Sequence, residues 1–355
     1  MTPRATKKQV NKPSGVSVII PAYNVESCLS RAVLSALEQV PPPLEVIVIN
    51  DGSTDRTAEV ARGFGERIRY LEQPNQGQGA ARNAGLAVAA GEYVAFLDAD
   101  DCWLPGFFNA TSDFFRSHPE AVAVSTGWKI YQHDDQVITF PSPESPKNIP
   151  DKALILDDFF SFWGKFDHIR TGTILIRHSI IKKAGYQQPH LRISQDLEYW
   201  GYIATNGPWG FIPEIYWFGD SARIAAQDGW LSKYRLRRNL CPTVEAWQQR
   251  ILPNLKDVDW PGFRMVRGRV ASNYAHSMIL AGRFRGARKI IKDYGVELPK
   301  NRITQLMKLG HRSGYVGWWI VCCLFILREY QKAFFHVLSK KSNRYNKTLF
   351  FIEGF

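Results

Sequence analysis

Along the first hundred residues, short apolar runs alternate with stretches of helical spacing. Val16-Ser-Val-Ile-Ile20 and Glu45-Val-Ile-Val-Ile49 are β-branched and nearly continuous, the pattern of strands covered on both faces. Between them, residues 26–39 place Leu29, Val33 and Leu37 four apart, ahead of Pro41-Pro42-Pro43, which ends a helix. Asp51–Thr57 reads as a turn into a helix reaching Gly63, Ile68–Leu71 as a third strand, Ala80–Ala90 as a helix and Tyr93–Leu97 as a fourth strand. This β-α-β-α-β-α-β order predicts an α/β domain with a mainly parallel sheet flanked by helices. Right-handed crossovers then bring the strand ends to one edge, where ligands of such sheets sit.

Polar residues collect at those predicted ends. Strand one runs into Pro21-Ala-Tyr-Asn24, strand two into Asn50-Asp-Gly-Ser-Thr-Asp55, and strand four into Asp98-Ala-Asp-Asp101. Ordinary turn and cap chemistry accounts for Ser53, Thr54 and Asp55. Asp98 and Asp100, flanking a small residue at a strand end, suit a divalent cation bound through oxygen. Gly77-Gln-Gly79 is not a dinucleotide fingerprint, because Arg82 stands where G-x-G-x-x-G needs its third glycine.

Beyond residue 120 the pattern changes. Val122–Ser125 and Thr173–Ile176 read as further strands, separated by a Pro-rich polar stretch at 141–150 and the aromatic segment Phe159-Phe-Ser-Phe-Trp-Gly164. Ile193-Ser-Gln-Asp-Leu-Glu-Tyr-Trp200 leads into a helix expected over Leu197–Ala204, which Asp196 either caps or uses as a platform for chemistry. From about Gln227 the chain reads as helical, with Val270–Gly282 and Phe284–Tyr294 forming a pair broken at Gly282-Arg283.

The 355 residues include 45 Lys or Arg and 33 Asp or Glu, a formal net charge of +12, with 45% hydrophobic residues. That composition excludes disordered, collagen-like and disulfide-scaffold chains. The excess sits at the ends. Residues 1–14 are a basic tail carrying Arg4, Lys7, Lys8 and Lys12 without an acid, and residues 300–355 carry ten basic residues against Glu329 and Glu353. Such ends meet nucleic acid or an anionic membrane surface. No nucleic-acid module is recognisable, so nucleic acid is not an expected partner. Tyr315–Leu327 is 13 residues without a charge, short of the ~20 needed to span a bilayer. With Arg312 before it, Arg328 and Lys332 after it, and Trp318, Trp319, Phe334 and Phe335 nearby, it reads either as a segment lying in a membrane interface or as a buried closing helix. Five cysteines without C-x-x-C spacing and an N-terminus without an apolar run lead to the expectation of a cytoplasmic protein.

Val18-Ile-Ile-Pro-Ala-Tyr-Asn24, Asn50-Asp-Gly-Ser-Thr-Asp55, Gly79-Ala-Ala-Arg-Asn-Ala-Gly85 and Leu97-Asp-Ala-Asp-Asp101 stand in the order seen in family 2 glycosyltransferases of the GT-A fold, which the chain resembles over roughly residues 15–220. The resemblance implies a Rossmann-like GT-A domain over 15–226, with a nucleotide half at about 15–120 and an acceptor half at about 121–226, followed by a helical C-terminal region over 227–355. It implies a UDP-sugar donor, with Pro21, Tyr23, Asn24, Asp51, Arg82 and Asp98 around the nucleotide and Asp51 accepting the uracil imide hydrogen bond. Asp100 and Asp98 would ligate Mn²⁺ or Mg²⁺ at the diphosphate, and a surface ion pair is the competing role for Arg82.

The same resemblance makes Asp196 the base of an inverting transfer, in an ED-like motif where Gln195 stands in the usual Glu position, with Glu198 the fallback. His168 and Arg170 would face acceptor or diphosphate, or serve structure alone. No Q-x-x-R-W follows Asp196, so a single sugar is expected per encounter, onto a glycan or lipid-linked acceptor at a membrane face. A nucleotidyltransferase and a non-catalytic sugar-nucleotide binding protein are the alternatives.

Overall fold

The computed structural model describes residues 15–131, 137–142, 144–145, 149–220, 240–328 and 331. The basic N-terminal tail and the stretch with Lys332, Phe334 and Phe335 lie outside them. The chain divides into two compact units, one holding the described residues up to 220 together with Glu245–Phe263, the other holding the rest.

In the first unit the chain runs β1 (Val16–Ala22), α1 (Leu29–Leu37), β2 (Glu45–Asp51), α2 (Thr57–Arg62), β3 (Arg69–Gln73), α3 (Gln78–Val88) and β4 (Tyr93–Phe96). It continues through β5 (Cys102–Trp103), α4 (Phe107–Ser117), β6 (Ala123–Tyr131), β7 (Val137–Phe140), β8 (Leu154–Ile155), α5 (Phe159–Phe166), β9 (Ile174–Arg177), α6 (His178–Ala184), α7 (Gln195–Ala204) and β10 (Trp209–Asp220). All ten strands join one sheet in the order β3-β2-β1-β4-β9-β6-β10-β5, with β7 on β6 and β8 on β10.

The parallel arrangement expected from the alternating pattern holds across β3, β2, β1 and β4. Every residue of β1 is buried, as its unbroken apolar run requires of a strand covered on both faces. The sheet turns mixed beyond β4, since β9 pairs antiparallel with both β4 and β6, and β7 returns on β6 as a hairpin. Parallel neighbours need long crossovers, and the chain after β6 doubles back instead.

Helix α3 packs unusually close to the sheet. A Cβ at Gly85 would stand 2.6 Å from Ile19 Cγ2 and 3.0 Å from Ile49 Cδ1, so glycine lets the helix settle on β1 and β2. At the β2 edge, Gly52 adopts φ +71°, and a Cβ there would meet the Asn75 amide nitrogen at 2.7 Å.

The second unit is helical. It contains the part of α9 (Trp260–Leu280) from Arg264 onward, α10 (Phe284–Tyr294), α11 (Arg302–Arg312) and a last helix over residues 314–328, while α8 (Val244–Gln248) lies at the junction in sequence. Val270, Tyr274, Ile279, Ile291 and Met307 form its core with Trp318, Val321, Cys322 and Phe325 of the last helix. That last helix is apolar on both sides. Its 318/321/322/325 face is buried, while Val316, Trp319, Ile320, Leu324 and Leu327 are about half to three-quarters exposed. One face of Tyr315–Leu327 therefore closes the lobe, as the buried reading expects, while the other is exposed. No helix among the described residues is long and apolar enough to cross a membrane.

Candidate functional site

The register places the carboxyl ends of β1, β2 and β4 side by side, with Ala22 opposite Asn50 and Ile19 opposite Phe96. The three polar clusters therefore meet at one edge. Asn24, at φ 52°, sits in the left-handed region that Asn tolerates. Its N–H donates to Ser53 Oγ (3.0 Å), and its Oδ1 accepts from the Thr54 N–H (2.8 Å). Asp55 accepts from the N–H (3.0 Å) and hydroxyl of Thr57 and from the Glu26 N–H (3.1 Å). Burial pushes the Asp55 carboxyl up, but these donors outweigh it and hold it below the ordinary value. Ser53, Thr54 and Asp55 thus do the turn work expected of them. Pro21 lies near the end of β1, and the Tyr23 ring beyond it is exposed.

Asp51 is buried at the end of β2. Its Oδ1 accepts from Gln73 Nε2 (2.7 Å) and the Gln76 N–H (2.9 Å), and its Oδ2 from the Gly77 N–H (2.7 Å). One carboxylate thereby organises the whole loop entering α3, a role that the motif did not reveal.

Arg82 has two expected roles, facing the nucleotide or making a surface ion pair. The alternative of a surface ion pair fails, because the side chain is 1% exposed, beneath the site on α3. Its Nη2 donates to Asp98 Oδ1 at 2.6 Å, while Nε and Nη1 find no partner among the described residues. A buried cation with unused N–H groups is costly unless a ligand completes it, and an anion is the natural complement.

Asp98 and Asp100 are partly exposed at the end of β4, and the Asp101 N–H donates to the Asp98 carbonyl (3.0 Å). Among the described residues no three His, Cys, Asp or Glu side chains converge as a metal shell. Mg²⁺ that takes its other ligands from phosphate and water needs only one or two carboxylates, so two partly exposed carboxylates fit that ion.

Helix α7 carries Asp196. Its Gln195 Nε2 lies 3.5 Å from Gln78 Oε1 at the start of α3, and Trp200 packs on Phe96 of β4 at 5.7 Å. The start of α7 therefore belongs to the same edge as Arg82 and Asp98. The helix begins at Gln195, two residues before the expected start, which puts Asp196 inside the first turn and Ser194 at the cap position. The cap reading of Asp196 is thus corrected. Its half-buried carboxylate takes no hydrogen bond or ion pair among the described residues.

Glu198, the fallback base, is fully buried, and its two oxygens accept from Arg250 Nε (2.8 Å) and Nη2 (2.6 Å). Burial raises its carboxyl above the ordinary range, against the pull of Arg250 and Gln188. A dry carboxylate so engaged is not placed to meet an acceptor.

Two amides complete the edge, Gln195 of the ED-like motif and Gln187, which the sequence did not single out. Among the described residues, buried Gln187 has neither Nε2 nor Oε1 partnered, and Gln195 has an unpartnered buried Oε1. Both line the space beside Gly79 of α3. The backbone of Gln187 is clasped by Asn83 through two bonds of 2.8 and 3.0 Å. No spacing rule would have found Gln187, because its place depends on a contact 104 residues away. His168 is enclosed by the rings of Phe159, Phe162 and Phe211, and the Arg170 guanidinium lies 4.5 Å over Trp128.

A half-parallel, half-mixed sheet with acidic loops and a buried arginine at one edge is the GT-A type of α/β domain. The S. aureus TarS 1-349 structure in complex with UDP-GlcNAc has this fold, aligning at a TM-score of 0.58 and 16% identity over 89% of this chain and 92% of that one. The model for "Glycosyl transferase family 2" matches residues 17–182, and this domain belongs to that family. An uncharacterized glycosyltransferase of Nostoc sp. is 38% identical over 152 residues, 42% of this chain and 47% of that protein. Glycosyltransferase GlyA of Streptococcus pneumoniae is 46% identical over 92 residues, 25% of this chain and 13% of that protein. The chain thus spans half or less of the length of these relatives.

Proposed function

We propose that this protein transfers a single sugar from a UDP-sugar, with inversion, to a glycan or lipid-linked acceptor used in cell-surface polysaccharide or glycolipid synthesis. The observation that carries the reading is Arg82, buried beside Asp98 with its Nε and Nη1 unpartnered among the described residues, at the edge where the family motifs meet. A diphosphate would take those donors. The UDP-GlcNAc in the TarS structure supports a UDP-sugar here. Asp51 Oδ2 accepts one bond and retains capacity for the uracil imide, with Pro21, Tyr23 and Asn24 beside it. The unpartnered amides of Gln187 and Gln195 suit the hydroxyls of an uncharged sugar.

Asp196 takes the proton from the acceptor hydroxyl as that oxygen attacks the anomeric carbon on the face opposite the diphosphate. The new glycosidic bond forms as the bond to the diphosphate oxygen breaks, with its electron pair leaving on UDP. Asp98 and Asp100 would hold Mg²⁺ or Mn²⁺, whose charge offsets that of the departing diphosphate. Arg82 holds the same phosphates from beneath.

The exposed apolar face of residues 314–328, flanked by Arg312 and Arg328, suits peripheral binding to an anionic membrane at the cytoplasmic side, where lipid-linked acceptors are met. The test is nucleotide release from a panel of UDP-, GDP- and dTDP-sugars, with Mn²⁺ or EDTA, lipid extract as acceptor source, and Asp196→Asn and Asp100→Asn as controls. Metal-dependent UDP release is expected from one donor, lost by roughly 10²–10⁴-fold in Asp196→Asn with UDP binding retained. Pyrophosphate release would indicate nucleotidyl transfer instead. UDP binding without any turnover would indicate a binding protein.

A further inference from the structure

The first turn of α7 is poorly supported by its own sequence. Ser194, at the cap position, is a non-glycine residue at φ 58°, and no side chain caps the helix. A helix start without a cap and with a left-handed residue costs free energy that other contacts must offset. Those contacts come from residues 247–250, some fifty positions later in the chain but in the same compact unit. The Trp247 indole N–H donates to the Ser194 carbonyl (3.2 Å), and Trp247 is fully buried. Arg250 forks onto both oxygens of Glu198, and its Nη1 donates to the Tyr186 carbonyl (2.8 Å). Gln188 Nε2 adds a bond to Glu198 Oε1 (3.1 Å), and the guanidinium lies 4.1 Å over the Tyr202 ring.

Asp196 stands midway between the two anchored residues, two positions after Ser194 and two before Glu198. Its backbone is held from both sides while its carboxylate stays unengaged. We propose that Arg250 and Trp247 are positioning residues that hold the first turn of α7 so that the Asp196 carboxylate faces the acceptor, with Glu198 as the anchor. This rests on the reading of Asp196 as the base. The bidentate geometry is what matters, since a lysine keeps the charge but cannot fork onto two oxygens. A displacement of about 1 Å at a reacting group costs on the order of 10²-fold in rate.

The test compares wild type, Asp196→Asn, Arg250→Lys and Trp247→Phe for kcat and donor KM in UDP release, for UDP affinity by calorimetry, and for thermal melting. Arg250→Lys and Trp247→Phe are expected to lower kcat by about 10- to 100-fold, with donor KM and UDP affinity within about twofold of wild type and most of the thermal stability kept. Full kcat in both variants overturns the proposal. So does a rate loss matched by an equal loss of UDP affinity or of folded protein, which marks a purely structural pair. Near-normal turnover in Asp196→Asn overturns the base assignment itself and is told apart by that variant alone. Should Arg250→Lys fold poorly, Trp247→Phe, which removes the indole N–H and keeps a smaller aromatic ring in place, decides the matter by the same split of kcat from KM.

Discussion

Replacing Arg82 with methionine separates a ligand-binding role from a structural one, because the two move stability and affinity in different directions. In the free protein the side chain makes one charged hydrogen bond, to Asp98 at 2.6 Å, and leaves Nε and Nη1 buried without partners. Losing the charged bond costs about 1.5–3 kcal/mol, while removing each unsatisfied buried donor recovers about 1–3 kcal/mol. Asp98 is a quarter exposed and regains water once freed. Two such nitrogens together recover about 2–6 kcal/mol, so Arg82→Met should fall between a loss of about 1 kcal/mol and a gain of about 4 kcal/mol in unfolding free energy. Binding behaves differently. A diphosphate held by the Nε and Nη1 donors loses them in this variant, and even about 3 kcal/mol of lost interaction raises the UDP dissociation constant roughly 100-fold. Titration calorimetry with UDP and denaturant melts on the same samples measure both quantities. Unchanged UDP affinity together with a loss of several kcal/mol of stability would refute the reasoning and make Arg82 the structural counter-ion of Asp98.

Two further outcomes follow from packing. Trp319→Glu with Ile320→Glu, both on the exposed face of residues 314–328, should reduce co-sedimentation with phosphatidylglycerol vesicles at least tenfold without altering UDP affinity, since burying each large apolar side chain is worth ~1.5–3 kcal/mol; equal sedimentation would rule this face out as the membrane contact. Gly85→Ala gains about 1 kcal/mol in helix propensity but forces a Cβ to within 2.6 Å of Ile19 Cγ2, and overpacking of that kind costs ~1–3 kcal/mol. A net loss of up to about 2 kcal/mol is expected in denaturant melts, and a stabilised variant would contradict the close packing.

The order of strands and helices through Phe96 was legible in the sequence, because apolar periodicity and Pro/Gly punctuation are local signals. The meeting of the Asn24, Asp51 and Asp98 clusters was legible too, since parallel strands joined by right-handed crossovers must end at one edge. That much the chain determines by pattern alone. The tertiary structure decided the rest, through burial and partners that local periodicity does not report. Arg82 is expected near the nucleotide, with a surface ion pair as its competing role, and only its burial beside Asp98 excludes the surface. Glu198 looked like a spare base until Arg250, 52 residues away, claimed both its oxygens. The sheet turned mixed where β9 inserted between β4 and β6. Residues 315–327 offered a choice between core and surface that one helix resolves by having two apolar faces. Periodicity reports what a residue wants from its immediate neighbours, whereas the roles of Arg82, Glu198 and Gln187 are set by desolvation and by hydrogen-bond partners that only the folded chain brings within 3 Å.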